Sequence, residues 1–157
     1  MLLQGLCLFT QTIFNYRDDT MNTILKCYLF VLSTYHLWTG GISYFHPGFA
    51  MKFYQRFYDC NPVEQRHLRI ILRPWGALAI FAGMAGMTVV TDPIHHPATL
   101  GSLTLLLLLR IGYRIGMRTE LREISGIAPH RNWISIGCLV LGTLILSWGA
   151  ATGWSWL

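Results

Sequence analysis

Four long apolar stretches alternate with polar ones along the chain, over residues 23–45, 70–90, 98–117 and 133–151. A helix that crosses a bilayer needs roughly 20 mainly apolar residues, and none of the four stretches contains an aspartate or glutamate. Between the first two the pattern changes. Phe49, Phe53 and Phe57 recur four residues apart, with Lys52 and Arg56 on an adjoining side, which is how a short helix lies flat at a headgroup boundary. Asn61-Pro62-Val63-Glu64 then supplies a capping residue, a proline at the first helical position and a glutamate able to reach back. The helix that starts there is expected to continue through Arg66, His67 and Arg69 into the second span. It should bend at Pro74, which lacks an N–H and crowds the carbonyl of Ile70. The pattern predicts an all-α integral membrane four-helix bundle with an interfacial amphipathic segment between helices 1 and 2.

The shorter connections fit that plan. Asp92-Pro93 ends the second span, and a brief link with His95, His96 and Pro97 leads into the third. Residues 119–132 are polar, with Ser125-Gly126 and Pro129 as breakers, and Trp148, Trp154 and Trp156 form an interfacial belt at the end. Residues 1–20 read as an N-terminal extension, with residues 21–157 as the membrane domain. Leu2, Leu6, Phe9 and Ile13 fall near one helical face, as in an interfacial helix; the alternative is an upstream extension with Met21 as the true start. The segment lacks the basic leader and small-residue site of a cleaved signal. Lys52, Arg56, Arg66 and Arg69 lie in the first loop and Arg118, Arg122 and Arg131 in the third. Those loops are therefore expected on the cytoplasmic side of a bacterial inner membrane, with both termini outward, although Arg17 and Lys26 oppose that orientation.

Composition sharpens the class. The 157 residues, one domain's worth, are 53% hydrophobic and only 12% charged, about half the charged share of an ordinary soluble domain. The net charge of +5 accompanies apolar spans, so the expected partners are membrane lipids and other membrane protein subunits, with no nucleic acid. Cys7, Cys27, Cys60 and Cys138 are scattered singly and read as small buried apolar residues.

Chemistry concentrates where the leucine block Leu105 to Leu109 runs into Arg110, followed by Arg114. An arginine at a helix centre costs about 2.5 to 3.5 kcal/mol, and Arg110 lies about 18 Å into the third span. Arg73, Arg110 and Arg114 should share a depth, with His36 near them, forming a basic layer without an intramembrane acid. The bland reading is snorkelling toward the cytoplasmic face. The sharper ones are an anionic-lipid site and a site for a quinone or an acidic group, with counter-charge from Glu64, Glu120, Glu123, a lipid phosphate or a partner. Small residues at Ala79 and Gly83, at Ala82 and Gly86, and at Gly112 and Gly116 offer close-packing faces, inside the bundle or toward another chain. His95 and His96 beside Asp92 are weak metal candidates, and His36 has no second histidine at its depth for haem. No catalytic triad, phosphate loop or zinc motif occurs.

Several segments resemble the DoxX-like group of small four-helix membrane proteins. They are Gly40-Gly41 with Phe45-His46-Pro47, Arg73-Pro74-Trp75-Gly76, Arg110 to Gly116, and Ser125-Gly126-Ile127-Ala128-Pro129. The resemblance covers about residues 25–148 and implies a four-helix bundle associated with larger membrane assemblies; the cysteine pair of a thiol-redox member is missing. The expected role is a non-catalytic accessory or assembly subunit of an energy-transducing complex, respiratory or photosynthetic. The alternatives are a quinone-linked redox protein and, third, a small transporter.

Overall fold

Three of the helices begin on a proline, whose missing N–H is no loss at a helix start and whose fixed φ suits the first turn. The computed structural model describes the backbone of residues 2–58, 65–123 and 126–155, and the side chains of these from Thr20 onward except those of 65–69. Pro47 opens α2 (Pro47–Tyr58), Pro97 opens α4 (Pro97–Gly116) and Pro129 opens α6 (Pro129–Trp154). The other elements are α1 (Leu2–Phe45), α3 (Gln65–Val89) and the short α5 (Arg118–Glu123), and no strand occurs among the described residues. The expected capping segment 61–64 lies outside the described residues, as do the side chains of Leu2, Leu6, Phe9, Ile13, Cys7 and Cys60.

Three helices are long and apolar enough to cross a membrane: Ile70–Val89 within α3, Pro97–Gly116 and Pro129–Trp154. The first expected span, residues 23–45, is helical but is not among them. It forms the latter part of α1, a continuous helix of 44 residues that is about 66 Å long. Ser33, His36, Thr39 and Ser43 place polar groups on its inner side, and these lower its hydropathy. Outward-facing residues of α1, α3, α4 and α6 are strongly apolar, including Trp38, Phe81, Leu109 and Leu144, as expected of surfaces solvated by hydrocarbon.

The helices pack as two close pairs, α1 with α3 and α4 with α6, while α1–α6 and α3–α4 meet over less surface. Glycines make the first pairing possible. A Cβ on Gly40 would lie 2.8 Å from the Gly76 carbonyl oxygen, and a Cβ on Gly76 would lie 2.7 Å from that of Gly40, so the two backbones touch. Further along the same antiparallel crossing, Gly83 lies against Leu37 and Ser33, and Gly86 against the Ser33 hydroxyl. In the second pair, Gly142 accommodates the Tyr28 phenol from α1, and Gly149 sits under Leu25 and Leu100. Leu25, Leu29, Val89, Leu100, Leu103, Leu107, Leu146 and Ala150 form the apolar core that joins the pairs toward the α3–α4 link.

The connections bring both expected basic loops to the other end. His46 ends α1, and its carbonyl accepts the N–H groups of Phe49 and Ala50 to start α2. Ala50 and Met51 of α2 are buried while Phe49, Phe53 and Phe57 are exposed, so the helix turns its small residues to the bundle and its phenylalanines outward. α3 continues through Pro74 without interruption. The third connection, expected as a loop, contains α5, which closes on Gly126 at φ 66°; the Gly126 N–H bonds the Arg122 carbonyl and the Ile127 N–H that of Leu121. This is the left-handed cap that glycine adopts without steric penalty.

Candidate anion site in the basic layer

The inner face of α1 changes character along its length. Leu25 and Leu29 are buried in the apolar core, whereas Ser33, His36, Thr39 and Ser43 are buried about one to four turns further on, at 2% to 5% exposure. Buried polar groups must find partners. Thr39 Oγ1 donates to the Tyr35 carbonyl at 2.7 Å, and Ser43 Oγ lies 3.1 Å from the Tyr54 hydroxyl of α2.

His36 reaches across to the other helix pair. Its Nδ1 lies 2.8 Å from the Leu32 carbonyl, and its Nε2 lies 3.0 Å from Arg110 Nη1. A carbonyl only accepts and a guanidinium only donates. The network therefore assigns the proton to Nδ1 and a lone pair to Nε2, which is the neutral imidazole. Arg110 has found an acceptor, and its charge is undiminished.

One turn along α4, Arg114 is held in the same manner. Its Nη1 donates to Asn132 Oδ1 of α6 at 2.9 Å and its Nη2 to the Tyr58 hydroxyl at 2.7 Å. Asn132 Nδ2 returns a 3.3 Å hydrogen bond to the Arg114 carbonyl. The guanidinium carbon stands 5.1 Å from the centre of the Tyr58 ring, a cation–π distance. Tyr35 lies within electrostatic range of Tyr54, Tyr58 and both arginines.

Of the four residues expected in the layer, the structure brings together His36 and Arg110 directly and adds Arg114 through its own neutral partners. Arg73 does not join them. It is exposed on α3 and has no hydrogen-bond or ion-pair partner among the described residues. Glu120 and Glu123 do not supply the expected counter-charge. Both are exposed on α5, and the ion pair found among the described residues is at the opposite end, where His95 Nδ1 meets Asp92 Oδ1 at 2.7 Å. Glu64 lies outside the described residues.

Ala79 and Ala82 are half-buried and Gly83 and Gly86 fully so, and Ala82 packs on the core. Gly112 and Gly116 are exposed, with nothing within 4 Å of an added Cβ, so that face is left uncovered by the chain itself. Cys27 and Cys138 are exposed rather than buried as expected; a small apolar thiol on a lipid-facing helix surface has no drive inward. His96 caps α4 through its carbonyl, and no group of three His, Cys, Asp or Glu side chains converges among the described residues.

Sequence reasoning missed Ser33, Thr39, Ser43, Tyr54, Tyr58 and Asn132. The signal for the first three was present, since positions 33, 36, 39 and 43 follow the three-to-four spacing of one helical face. Asn132 gave none beyond its place in the first turn of α6. A cleft between the helix pairs is lined by Leu32, Ser33, His36, Ala82, Leu103 and Leu107. The Ser33 hydroxyl there is buried and has no hydrogen-bond partner.

No protein-family model, curated protein or solved structure matches the chain. Its function is therefore read from this geometry.

Proposed function

We propose that the chain is a non-catalytic accessory or assembly subunit of a larger membrane complex that binds anionic lipid at its basic end. The observation that carries the lipid part is that, among the described residues, Arg110 and Arg114 are paired with neutral acceptors alone, His36, Asn132 and Tyr58. Two charges held among apolar helices without a carboxylate attract an anion from outside the chain, and the nearest abundant one is a lipid phosphate. The bundle end that carries them also presents Lys52, Arg56, Arg118, Arg122 and Arg131, which favours its placement at the cytoplasmic surface. Support for the subunit role comes from α4. Its inner face is filled by Leu100, Leu103 and Leu107, while Gly112 and Gly116 offer an uncovered surface on which another helix can approach closely.

Isolation from the native membrane in mild detergent tests this reading. Stoichiometric co-purification with a respiratory or photosynthetic complex, together with bound anionic lipid, is expected. A solitary chain that retains only zwitterionic lipid refutes it.

A second reading, a quinone-linked redox protein of the DoxX-like type, is favoured by the cleft between the helix pairs. The Ser33 hydroxyl and the His36 imidazole there are groups that a ring carbonyl can meet, but the cleft as it stands holds no more than about one water, so a quinone requires the helix pairs to part. Solvent extraction of the purified protein distinguishes the two readings, since only the second expects quinone in amounts matching the chain.

A further inference from the structure

We infer that Arg110 and Arg114 together hold a single lipid whose headgroup carries two phosphates. This rests on the anionic-lipid reading above and narrows it to a headgroup class. The two arginines are four residues apart on α4, which places them on one face about 6 Å apart along the axis. Two positive side chains at that spacing repel each other. Each is nevertheless fixed in place, Arg110 by His36 and Arg114 by Asn132 and Tyr58. These bonds use only part of the five N–H donors of each guanidinium, so both still present donors to an incoming acceptor.

The partners position the charges without neutralising them. His36 is neutral by its own hydrogen-bond pattern, and Asn132 and Tyr58 carry no charge. One phosphodiester brings one negative charge and leaves the second guanidinium unmatched. Two phosphates on a short bridge match both, one per arginine. The site stands at the end of α4 where Leu108 and Leu109 are exposed alongside it, a surface for acyl chains that a soluble diphosphate has no use for.

The test uses the full chain, purified in mild detergent and stripped of lipid. Its unfolding midpoint is followed while diphosphatidylglycerol, phosphatidylglycerol or inorganic pyrophosphate is added at matched phosphate concentration. Two linked charges act at high effective concentration, so diphosphatidylglycerol should half-saturate roughly tenfold or more below phosphatidylglycerol, with pyrophosphate inert. Arg110→Leu and Arg114→Leu should each abolish that preference while phosphatidylglycerol still acts, and Arg118→Leu, on exposed α5, should leave it intact. Arg110→Lys and Arg114→Lys, which keep the charge should the leucine variants not fold, must retain the preference.

Equal potency of the two lipids per phosphate overturns the inference and leaves the anionic-lipid reading standing. Pyrophosphate matching diphosphatidylglycerol overturns the lipid assignment in favour of a soluble anion. A preference that survives in the Arg110→Leu/Arg114→Leu double variant places the site elsewhere, and no response to either lipid removes both the inference and the reading beneath it.

Discussion

Gly76→Ala adds one methyl group where α1 and α3 cross, and the structure gives its consequence. The new Cβ lies 2.7 Å from the Gly40 carbonyl oxygen, 2.7 Å from the Tyr44 nitrogen and 3.0 Å from the Ser43 Cβ. Comfortable separations are about 3.5 to 4.0 Å, so the helices must part by roughly 1 Å at their closest point. Two of the three atoms are backbone, held by helical hydrogen bonds, and no rotamer change relieves them. Overpacking of this kind costs about 1 to 3 kcal/mol, and the upper end applies because the obstruction is rigid. Replacing glycine by alanine in a helix returns about 1 kcal/mol. The net expectation is a loss of about 2 kcal/mol. Gly112→Ala is the matched control: an added Cβ there meets nothing within 4 Å, so only the gain of up to about 1 kcal/mol remains. Reversible unfolding in mixed micelles, titrated with a denaturing detergent and followed by far-ultraviolet circular dichroism, measures both. The two variants should move in opposite directions. If Gly76→Ala is as stable as Gly112→Ala, the backbone contact between α1 and α3 is not what holds this pair together. In the native membrane Gly112→Ala carries a second expectation, weaker association with the larger complex although the chain itself is no less stable.

A double-mutant cycle on His36→Leu and Arg110→Leu should give a coupling of about 1.5 to 3 kcal/mol, the range for a hydrogen bond to a charged group; additivity would mean that the contact contributes nothing. Ser33→Ala removes a buried hydroxyl without a partner, so unfolding experiments should find it neutral or stabilising by up to about 1 kcal/mol, and a clear loss would show that the hydroxyl is engaged. At the opposite end of the bundle, the hydrogen bond from His95 holds the Asp92 carboxyl below the usual carboxylate range, with the charges of His95, His96 and Lys26 adding to it. The pKa is lower in the folded than in the unfolded state, so this contribution is present above the unfolded value and disappears as pH falls through the folded one. Carbon-13 titration of the Asp92 carboxyl should show the depression, and His95→Ala should largely remove it.

How far the sequence reaches differs from element to element. The sequence pattern puts Pro97 in the link before a span at 98 and makes Pro129 a breaker before a span at 133, whereas in the structure both prolines are the first residues of their helices, where the fixed φ of the ring suits the first turn. The small residues Gly83 and Gly86 were recognised as a packing face from their spacing alone. The same spacing at Gly112 and Gly116 points outward, because spacing identifies a face and not what covers it. Arg73 illustrates the difference in a single side chain. Depth along the helix axis placed it with Arg110, but depth says nothing of what a side chain meets, and in the structure Arg73 is exposed on α3.

The sequence by itself determined the all-helical character and the gathering of arginine at the end of the third apolar span, and of the four spans it predicts, three are helices long and apolar enough to cross a membrane. These follow from composition and from periodicities of a few residues, which act locally and survive in any arrangement of the helices. Which acceptor each arginine meets was decided only by the tertiary structure. His36 and Arg110 are 74 residues apart and Tyr58 and Arg114 are 56 apart. Their meeting depends on the close approach of two glycines and on the rotation of each helix about its own axis. Among the described residues the acceptors at that meeting are all neutral, a result that no local periodicity encodes.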